Sequence, residues 1–473
     1  MSSGKIVAGV VVVAALAAAG STYVASGKVE DAFRVSLVEA VKPASGISVE
    51  VLDYERGFLN STAKTRWTIN HPDSGRDPLT DITLNHDIKH GPLSAGASIA
   101  KIHTELQTPE AIATELKSFF GDKPVLTVDS DIGWSGSQQH HISSSSFEGK
   151  LPQRKGDDVL NLSWGGIEGD ITVNGAADRV QTNIRLPGFK ASGTEGGDGN
   201  KVEIGAISIT GDQSKVAGHY FWTGTSNLSI ANFEFESGLA DGRSARVEQI
   251  SANWGITLKE KALDIVFKLA LGKAEIAESK IDGATATLVY ENLDIDALDN
   301  IARFLESTTS GEELDSKLGA IFLEQLPALL ERKPAFVLRD VEVKYPDGSA
   351  SLNLRVGYVG NGKIDGFNPS TDIAGEVNIS FPRVLATRLL GEQVRKSVLE
   401  DFDEEDEDIE DRAAEIDEVV KDRVDQQLAM LTGTNLFEEK EGVLSSAVSY
   451  KEGGFEVNGK PFDISAFRSL LPF

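Results

Sequence analysis

The chain contains no cysteine, and this absence excludes several kinds of site. Disulfide bonds, thiolate metal sites and cysteine nucleophiles all need that residue. Basic residues are also scarce: 46 Lys and Arg stand against 73 Asp and Glu, which gives a formal net charge of -27. A surface with that charge repels phosphate backbones, so we expect no nucleic-acid partner. Such a surface is also repelled at long range by anionic lipid. The simplest interpretation of the net charge is that it favours solubility.

Long apolar runs are equally scarce, because the sequence has only one. Residues 6–27 carry no charge and follow Lys5. About 20 mostly apolar residues suffice to span a bilayer, and a basic residue before the span keeps the N-terminus cytoplasmic. A cleaved signal peptide is the alternative, since small residues at Ala15–Ala17 and Ala17–Ala19 resemble cleavage sites. We favour an uncleaved anchor because the uncharged run continues past them. The prediction is a single-pass protein of the bacterial inner membrane with most of its chain in the periplasm.

The rest of the sequence indicates a mainly β protein. Residues 28–43 have the spacing of a short amphipathic linker helix, but from Ile47 onward apolar residues alternate with a period of two. In residues 80–90, for example, the side chains on one predicted face are Ile82, Leu84, His86, Ile88 and His90. Many successive strands without helices between them favour an antiparallel meander. We therefore predict an α+β, mainly β fold: an N-terminal transmembrane helix, then an extended, curved and groove-like antiparallel sheet with helical insertions.

Helical spacings interrupt the strands at Pro109–Pro124, over 292–334 and over 382–430, and Pro327 should kink or divide its helix. Hairpins are expected around Pro346–Gly348 and around Gly453 and Gly454. The predicted segments are 1–27 (cytoplasmic stub and anchor), 28–43 (linker helix), 44–291 (β-rich periplasmic region), 292–334 (helical insertion), 335–381 (β-hairpin region), 382–433 (long acidic helical segment) and 434–473 (C-terminal hairpin).

An acidic run and an apolar stripe lie in the late helical segment. Nine of the eleven residues Asp401–Asp411 are acidic, but positions 6 and 12 of a calcium-binding loop would fall on Asp406 and Arg412 instead of Gly and Glu. We therefore expect a solvated run and no metal. The stripe that follows needs a partner surface, either within the chain or on a second subunit. Its members are Ile416, Val419, Val420, Val424 and Leu428. One alternative function is thus self-assembly into a homo-oligomer through residues 412–430.

The histidines offer the only enzyme-like hypothesis. All seven precede residue 220, and His86, His90 and His103 are close in sequence. Two His four apart on a strand share a face but lie more than about 10 Å apart, so one metal ion cannot bind both. Neither a zinc-binding HExxH motif nor a nucleophile elbow is present. We expect histidines that make structural hydrogen bonds, and no catalytic residue, metal or cofactor. A periplasmic hydrolase, in which His86, His90 or His103 meets Asp or Glu residues around a pocket, is the alternative.

Three short pieces of the sequence stand out together: Tyr54–Ala63 (YERGFLNSTA), His86–Pro92 (HDIKHGP) and Tyr450–Phe462 (YKEGGFEVNGKPF). With them the chain resembles the YdgA-like family, a bacterial domain-of-unknown-function family of membrane-anchored periplasmic proteins. The resemblance implies export and an extended β architecture, and it implies no reaction. The residues that carry it, to which we assign structural roles, are Tyr54, Arg56, Gly57, Ser61, His90, Gly91, Pro92, Asn458 and Gly459. Glu55 and Arg56 would point to opposite faces of a strand, so they do not form an acid–base pair.

The chain also has a looser likeness to AsmA-like envelope proteins, which join an inner-membrane anchor to long, curved β-sheets. That likeness suggests lipid handling or envelope maintenance, and it is an analogy of fold. A long β-groove with an apolar inner face could shield acyl chains from water. The predicted function is therefore a non-enzymatic, membrane-anchored periplasmic protein with a binding or scaffold role, for which a lipid or another hydrophobic molecule is the candidate ligand.

Overall fold

A computed structural model describes most of the chain from residue 47 onward. The described residues are 47–69, 80–91, 93–108, 113–152, 159–193, 199–237, 244–276, 279–307, 312–363, 366–402 and 413–463. The predicted anchor (6–27), the linker helix (28–43), Pro92 and residues 403–412 of the acidic region lie outside them. The described part is mainly β and antiparallel, which confirms the predicted class. It divides into a first unit (1–256 and 302–318) and a second unit (257–301 and 319–473).

The first unit opens with six strands in which each pairs antiparallel with the next. These are β1 (Ile47–Glu55), β2 (Asn60–Ile69), β3 (Thr80–His90), β4 (Ala100–Gln107), β5 (Thr127–Ile132) and β6 (Gln138–Ser144), with helix α1 (Ala113–Phe120) between β4 and β5. Alternate residues of β2 are buried, and Trp67 among them has no exposed surface. The period-two pattern of the sequence therefore places one face of these strands in a core.

The strands that follow form a regular meander. They are β7 (Phe147–Pro152), β8 (Val159–Trp164), β9 (Ile167–Val173), β10 (Arg179–Leu186), β11 (Phe189–Gly193), β12 (Lys201–Ile204), β13 (Ile207–Lys215), β14 (Trp222–Glu236) and β15 (Ser244–Lys259). Only two residues separate β6 from β7, β8 from β9, β10 from β11 and β12 from β13. Each of these pairs is therefore one long strand with a single interruption.

The interruptions lie at one level across the sheet, and we call this line the crease. It is formed by residues 145–146, 165–166, 187–188 and 205–206, and by the position in β14 where the strand changes partner. β14 pairs with β13 through Trp222–Ile230 and with β12 through Phe233–Glu236. Backbone hydrogen bonds link neighbouring strands there, such as Gly165 N–H to Gly188 O at 2.8 Å. Pairing resumes in the same register beyond the crease because every strand has two unpaired residues there.

The remaining strands and helices complete the chain. The strands are β16 (Ala262–Leu271), β17 (Ala274–Ile276), β18 (Ser279–Ile281), β19 (Gly283–Asp294), β20 (Ala335–Tyr345), β21 (Gly348–Tyr358), β22 (Ile373–Pro382), β23 (Glu438–Lys440), β24 (Val443–Lys451), β25 (Gly454–Val457) and β26 (Lys460–Phe462). The helices are α2 (Ile295–Ser307), α3 (Glu312–Glu331), α4 (Pro369–Asp372), α5 (Arg383–Phe402) and α6 (Ala413–Gly433). In the second unit, β16, β19, β20, β21, β22 and β24 pair in that order. Both predicted hairpins, β20–β21 and β24–β25, are present.

The structure bears on two helical predictions that left alternatives open. Helix α3 continues through Pro327 to Glu331, so the proline does not divide it. The apolar stripe of α6 is covered by the chain itself. Ile416, Val424 and Leu428 are buried against residues of α5 and β24, and Val419 and Val420 pack at the edge of the same cluster. The partner surface that the stripe required is therefore intramolecular, and the stripe is not a free surface for a second subunit.

The crease should depend on its glycines. Gly166 has φ +88°, and a Cβ there would lie 2.6 Å from Ser144 O. We expect Gly166→Ala to lower the free energy of unfolding by at least about 2 kcal/mol, measured by denaturant titration. Gly255→Ala is the matched control, because the nearest atom to its Cβ is 3.4 Å away and its φ is not positive. That variant should stay within about 1 kcal/mol of the parent. Equal stabilities of the two variants would contradict the role of Gly166.

The intramolecular stripe makes a second prediction about stability. Leu428 is 1% exposed, and Leu→Ala at such a site costs about 2–5 kcal/mol. Leu389→Ala on α5 is the control, because that side chain is 45% exposed and should change stability far less. Denaturant titration measures both changes, and light scattering in parallel measures the mass of each particle. A drop in particle mass with unchanged stability for Leu428→Ala would show that the stripe serves a subunit contact instead.

Candidate functional site

One face of the creased strands is apolar on both sides of the crease. Cross-strand register sets two rows of side chains next to each other, one on each side. Before the crease the row is Ser144, Ile167, Leu186, Ile207, Ile230 and Ile250. After the crease it is Phe147, Trp164, Phe189, Ile204, Phe233 and Val247. A row further out contains Leu162, Ala191, Val202 and Phe235. We call this surface the apolar face.

The opposite face of the same strands is charged. Ion pairs bridge neighbouring strands there, with Lys190 Nζ 3.1 Å from Glu203 Oε1 and Lys201 Nζ 3.1 Å from Glu234 Oε1. Solvated pairs of this kind add little stability, but they fix which side of the sheet faces water. One face of these strands is therefore apolar and the opposite face is charged.

Part of the apolar face is covered, and the rest is half-buried. Before the crease, Ile167 and Leu186 are buried in a core cluster with Ile142. Phe119 of α1 stacks on Phe147 with ring centroids 4.9 Å apart. Gly149 makes room for that ring, because a Cβ there would lie 2.4 Å from Phe119 Cδ1. Beyond α1, the apolar side chains of β8, β11, β12 and β14 are only half-buried. An extended, partly exposed apolar surface is typical of a binding site.

The outer face of the earlier strands carries an alternating row of carboxylates and imidazoles. Its members lie on β3, β4, β5, β6 and β9 and are Asp87, His103, Asp129, His141 and Asp170. His103 lies 2.7 Å from Asp129 Oδ1 and 3.0 Å from Glu105 Oε1, and these hydrogen bonds raise its pKa. The row borders an open cavity of about 590 Å³. Among the described residues, no three His, Asp or Glu side chains are grouped so that they could hold a metal ion.

His86 lies on the inner face and is sealed from water. Its Nε2 is 2.8 Å from Thr65 Oγ1 and its Nδ1 is 2.9 Å from Thr104 Oγ1, while Trp67 Nε1–H donates to Thr65 Oγ1 at 3.0 Å. Burial lowers the pKa of His86 to about 4. His103 pairs with Asp87, so its side chain belongs to the opposite face from that of His86.

Two further histidines share the inner face with His86. His140 lies 2.8 Å from Ser130 Oγ and 3.0 Å from Gln138 Oε1, and burial lowers its pKa to about 4. His90 Nε2 lies 2.8 Å from Ser61 Oγ; burial and then the charge of Arg56 lower its pKa. The three histidines of the hydrolase hypothesis thus have separate partners on different faces, and they do not converge on one pocket.

The two N-terminal motifs meet at one corner of the first unit. Gly57 N–H donates to Ser61 Oγ at 3.3 Å, and Ser61 contacts His90. A Cβ on Gly57 would lie 2.1 Å from Asn60 O, and one on Gly91 would lie 1.8 Å from Ser98 O, so the backbones approach too closely for any other residue. Next to the corner, the side chain of Tyr54 belongs to the core and Arg56 is exposed.

The third motif closes a turn of the second unit. Asn458 accepts from Ala447 N–H at 2.9 Å and donates to Asn435 O at 2.9 Å, with φ +51°. Gly459 follows with φ +74°. The motif residues that the structure describes therefore have structural partners of their own. Sequence reasoning expected an apolar inner face by analogy but did not locate it. Its signal is the apolar–x–x–apolar spacing at 164–167, 186–189 and 204–207.

Comparison with known families places the chain. It belongs to a bacterial protein family of unknown function (DUF945), whose profile matches residues 3–465. This confirms the predicted membership of a bacterial domain-of-unknown-function family over nearly the whole chain. Searches of curated proteins and of solved structures gave no match. Within the part of the chain that the structure describes, no helix has both the length and the apolar character needed to cross a bilayer.

The buried histidines predict a pH dependence of stability. Between pH 6.5 and about 4 the unfolded chain protonates His86 and His140, whereas the folded chain keeps them neutral. Stability that is present above pH 6.5 is therefore lost as the pH falls towards 4, by on the order of 3 kcal/mol per histidine. Denaturant titrations at several pH values in this range give the free energy of unfolding as a function of pH. The slope of that free energy against pH should be shallower for His86→Gln and for His140→Gln than for the parent. Gln139→Ala, which changes an exposed and non-titratable side chain on the strand of His140, should keep the parental slope. Parental slopes in all three variants would refute the assignment.

Proposed function

We propose that this member of the DUF945 family is a non-enzymatic binding protein of the bacterial cell envelope that holds acyl chains against its apolar face. The observation that carries the proposal is the half-buried apolar surface on both sides of the crease, opposite a charged surface on the same strands. Acyl chains need an extended apolar surface and few directional contacts. The apolar face offers aromatic and branched side chains without an interspersed charge.

The dimensions of the apolar face suit a lipid tail. Residues Leu228 to Phe235 of β14, whose apolar side chains are half-buried, span about 23 Å at 3.3 Å per residue. The hydrocarbon core of a bilayer is about 30 Å thick and contains two tails end to end. One tail therefore fits along a strand with room to spare, and the meander is wide enough for more than one.

The second unit has an apolar surface of the same kind. Phe267 (39% exposed), Leu269 (56%), Tyr290 (38%) and Val356 (39%) project from one face of its sheet. Tyr290 and Phe336 pack edge to face at a centroid distance of 5.4 Å. Large apolar side chains left open in a folded sheet usually meet a ligand or a partner. This surface supports the same ligand class.

A binding role accounts for the polar residues better than catalysis does. His86 and His140 are enclosed by hydroxyl and amide partners, and His103 belongs to the other face of the sheet. The envelope location rests on the uncharged run at residues 6–27 and on the resemblance to YdgA-like and AsmA-like proteins. A curved, groove-like sheet that shields acyl chains is the form of the proposal that those resemblances favour.

Photo-cross-linking from neighbouring residues of one strand tests this function. Benzoylphenylalanine replaces Phe189 on the apolar face in one variant and Lys190 on the charged face in the other. The full chain is irradiated in its native membrane, purified and analysed by mass spectrometry. We expect lipid adducts on residue 189 at least tenfold more abundant than on residue 190. Equal labelling would indicate non-specific contact with lipid, and an absence of adducts at 189 would reject the apolar face as the site.

A further inference from the structure

Five turns line one end of the first unit's sheet. They are residues 56–60, 91 with 93–99, 133–137, 174–178 and 216–221. Cross-strand pairing places them in order along this end. Asn60 pairs with Lys89, Ala100 with Ile132, Gln138 with Val173 and Arg179 with Ser214. We call this end the turn edge.

Large apolar side chains stand out from the turn edge. Phe58 is 89% exposed, Leu93 78%, Trp134 62% and Tyr220 41%. They belong to four different turns, so the exposure is a property of the whole edge and not of one loop. A folded protein gains nothing in stability from Phe or Trp side chains held in water.

The turns themselves contain few charged residues. There are two, Arg56 and Asp178, in a chain in which 25% of the residues are charged. One further charge lies against the fifth turn, where Arg303 of α2 donates to Gly218 O at 3.4 Å. The segments of the sequence that follow β7, β11 and β14 differ. Residues 153–158, 194–200 and 237–243 contain eight charged residues among them. The five turns are therefore less charged than the other segments that connect these strands in sequence.

Hydrogen bonds between neighbouring turns hold the tips in place. His90 N–H donates to Leu59 O at 2.8 Å, and Ser94 Oγ donates to Asn60 Oδ1 at 2.8 Å. Ile99 N–H donates to Ile132 O at 2.7 Å. The corner formed by Gly57, Ser61 and His90 is part of this bracing. The motif residues thus support turns that display Phe58 and Leu93.

We propose that the turn edge rests on a lipid bilayer, with Phe58, Leu93 and Trp134 inserted at the level of the headgroups. Aromatic and aliphatic side chains on turns with few charges suit that depth. Strands lie about 4.8 Å apart, so Phe58 and Trp134 are separated by roughly 15–20 Å. A protein interface concentrates its energy in one contiguous, well-packed centre. Separate projecting tips can each sink into a fluid bilayer without a complementary shape. This contact is distinct from the proposed ligand site and from the predicted anchor.

The absence of cysteine makes a local test practical. Single-cysteine variants Phe58→Cys, Leu93→Cys and Trp134→Cys of the full chain are labelled with an environment-sensitive fluorophore. Asp122→Cys is the matched control, because Asp122 is 96% exposed and precedes β5, at the opposite end of the strands. Each is reconstituted into vesicles of phosphatidylethanolamine and phosphatidylglycerol, with and without a spin-labelled lipid quencher. The readout is local, so a membrane anchor elsewhere in the chain does not produce it.

We expect the lipid quencher to reduce fluorescence at positions 58, 93 and 134 at least twofold, and to leave position 122 unchanged. Adding Trp134→Glu to the Phe58→Cys variant should reduce the quenching at 58, while circular dichroism confirms that the fold is kept. Two results would overturn the proposal. One is equal access of aqueous iodide to all four labels. The other is protection from iodide without lipid quenching, which would assign the edge to a protein partner or to a second copy of the chain.

Discussion

The first unit depends on one constraint. Every long strand that crosses the crease must interrupt its cross-strand pairing for two residues, and at the same level as its neighbours. Side chains alternate between faces with a period of two, so a strand that inserted one residue more or fewer would turn its charged side chains inward. The crease satisfies this constraint in each strand. Trp164 and Ile167, and likewise Leu186 and Phe189, lie three positions apart and still share the apolar face. The cross-strand register is unchanged beyond the crease for the same reason.

The crease explains how glycine and proline are used in this region. Gly166 and Gly188 have φ of +88° and +142°, in the range that other residues rarely adopt. A Cβ on Gly188 would lie 2.8 Å from Ile204 O of the neighbouring interrupted strand. Pro187 comes directly before it, where a residue without an N–H costs the ladder no hydrogen bond. These residues would weaken an ordinary strand, but here they form the line that lets one apolar face continue.

Sequence alone predicted the alternation and the hairpins around Pro346–Gly348 and around Gly453 and Gly454, because each follows from local chemistry. It did not predict the crease. The segments Trp164–Ile167 (WGGI) and Leu186–Phe189 (LPGF) look like chain reversals when read one at a time. Only the lateral alignment of several strands shows that the chain continues straight through them. The partners of His86 were also out of reach, because Thr65 and Thr104 come from two other strands.

The stripe of α6 shows a different limit of sequence reasoning. Its periodicity correctly required an apolar partner, but periodicity cannot say which part of the chain supplies it. The partner is α5 together with Leu444 of β24, and the strand lies beyond the helix in sequence. A long-range contact of this kind leaves no local signal. The same applies to Ser61 and His90, which two separate motifs bring together.

The strong negative charge and the sparsely charged turn edge are compatible because electrostatic repulsion is short-ranged in salt. The Debye length is about 8 Å at physiological ionic strength. Charges beside the turns are paired with opposite charges, as Lys101 is with Asp131 at 3.5 Å and Arg179 with Asp212 at 2.7 Å, so their net field is small. The face around Lys190 and Lys201 lies more than about 30 Å along the strands from the turns, where its charges are screened almost completely. A net charge of -27 is therefore compatible with an approach of the turn edge to an anionic surface. What decides the approach is the composition of the turns themselves, where the acidic residues are nearly absent and the aromatic ones are exposed.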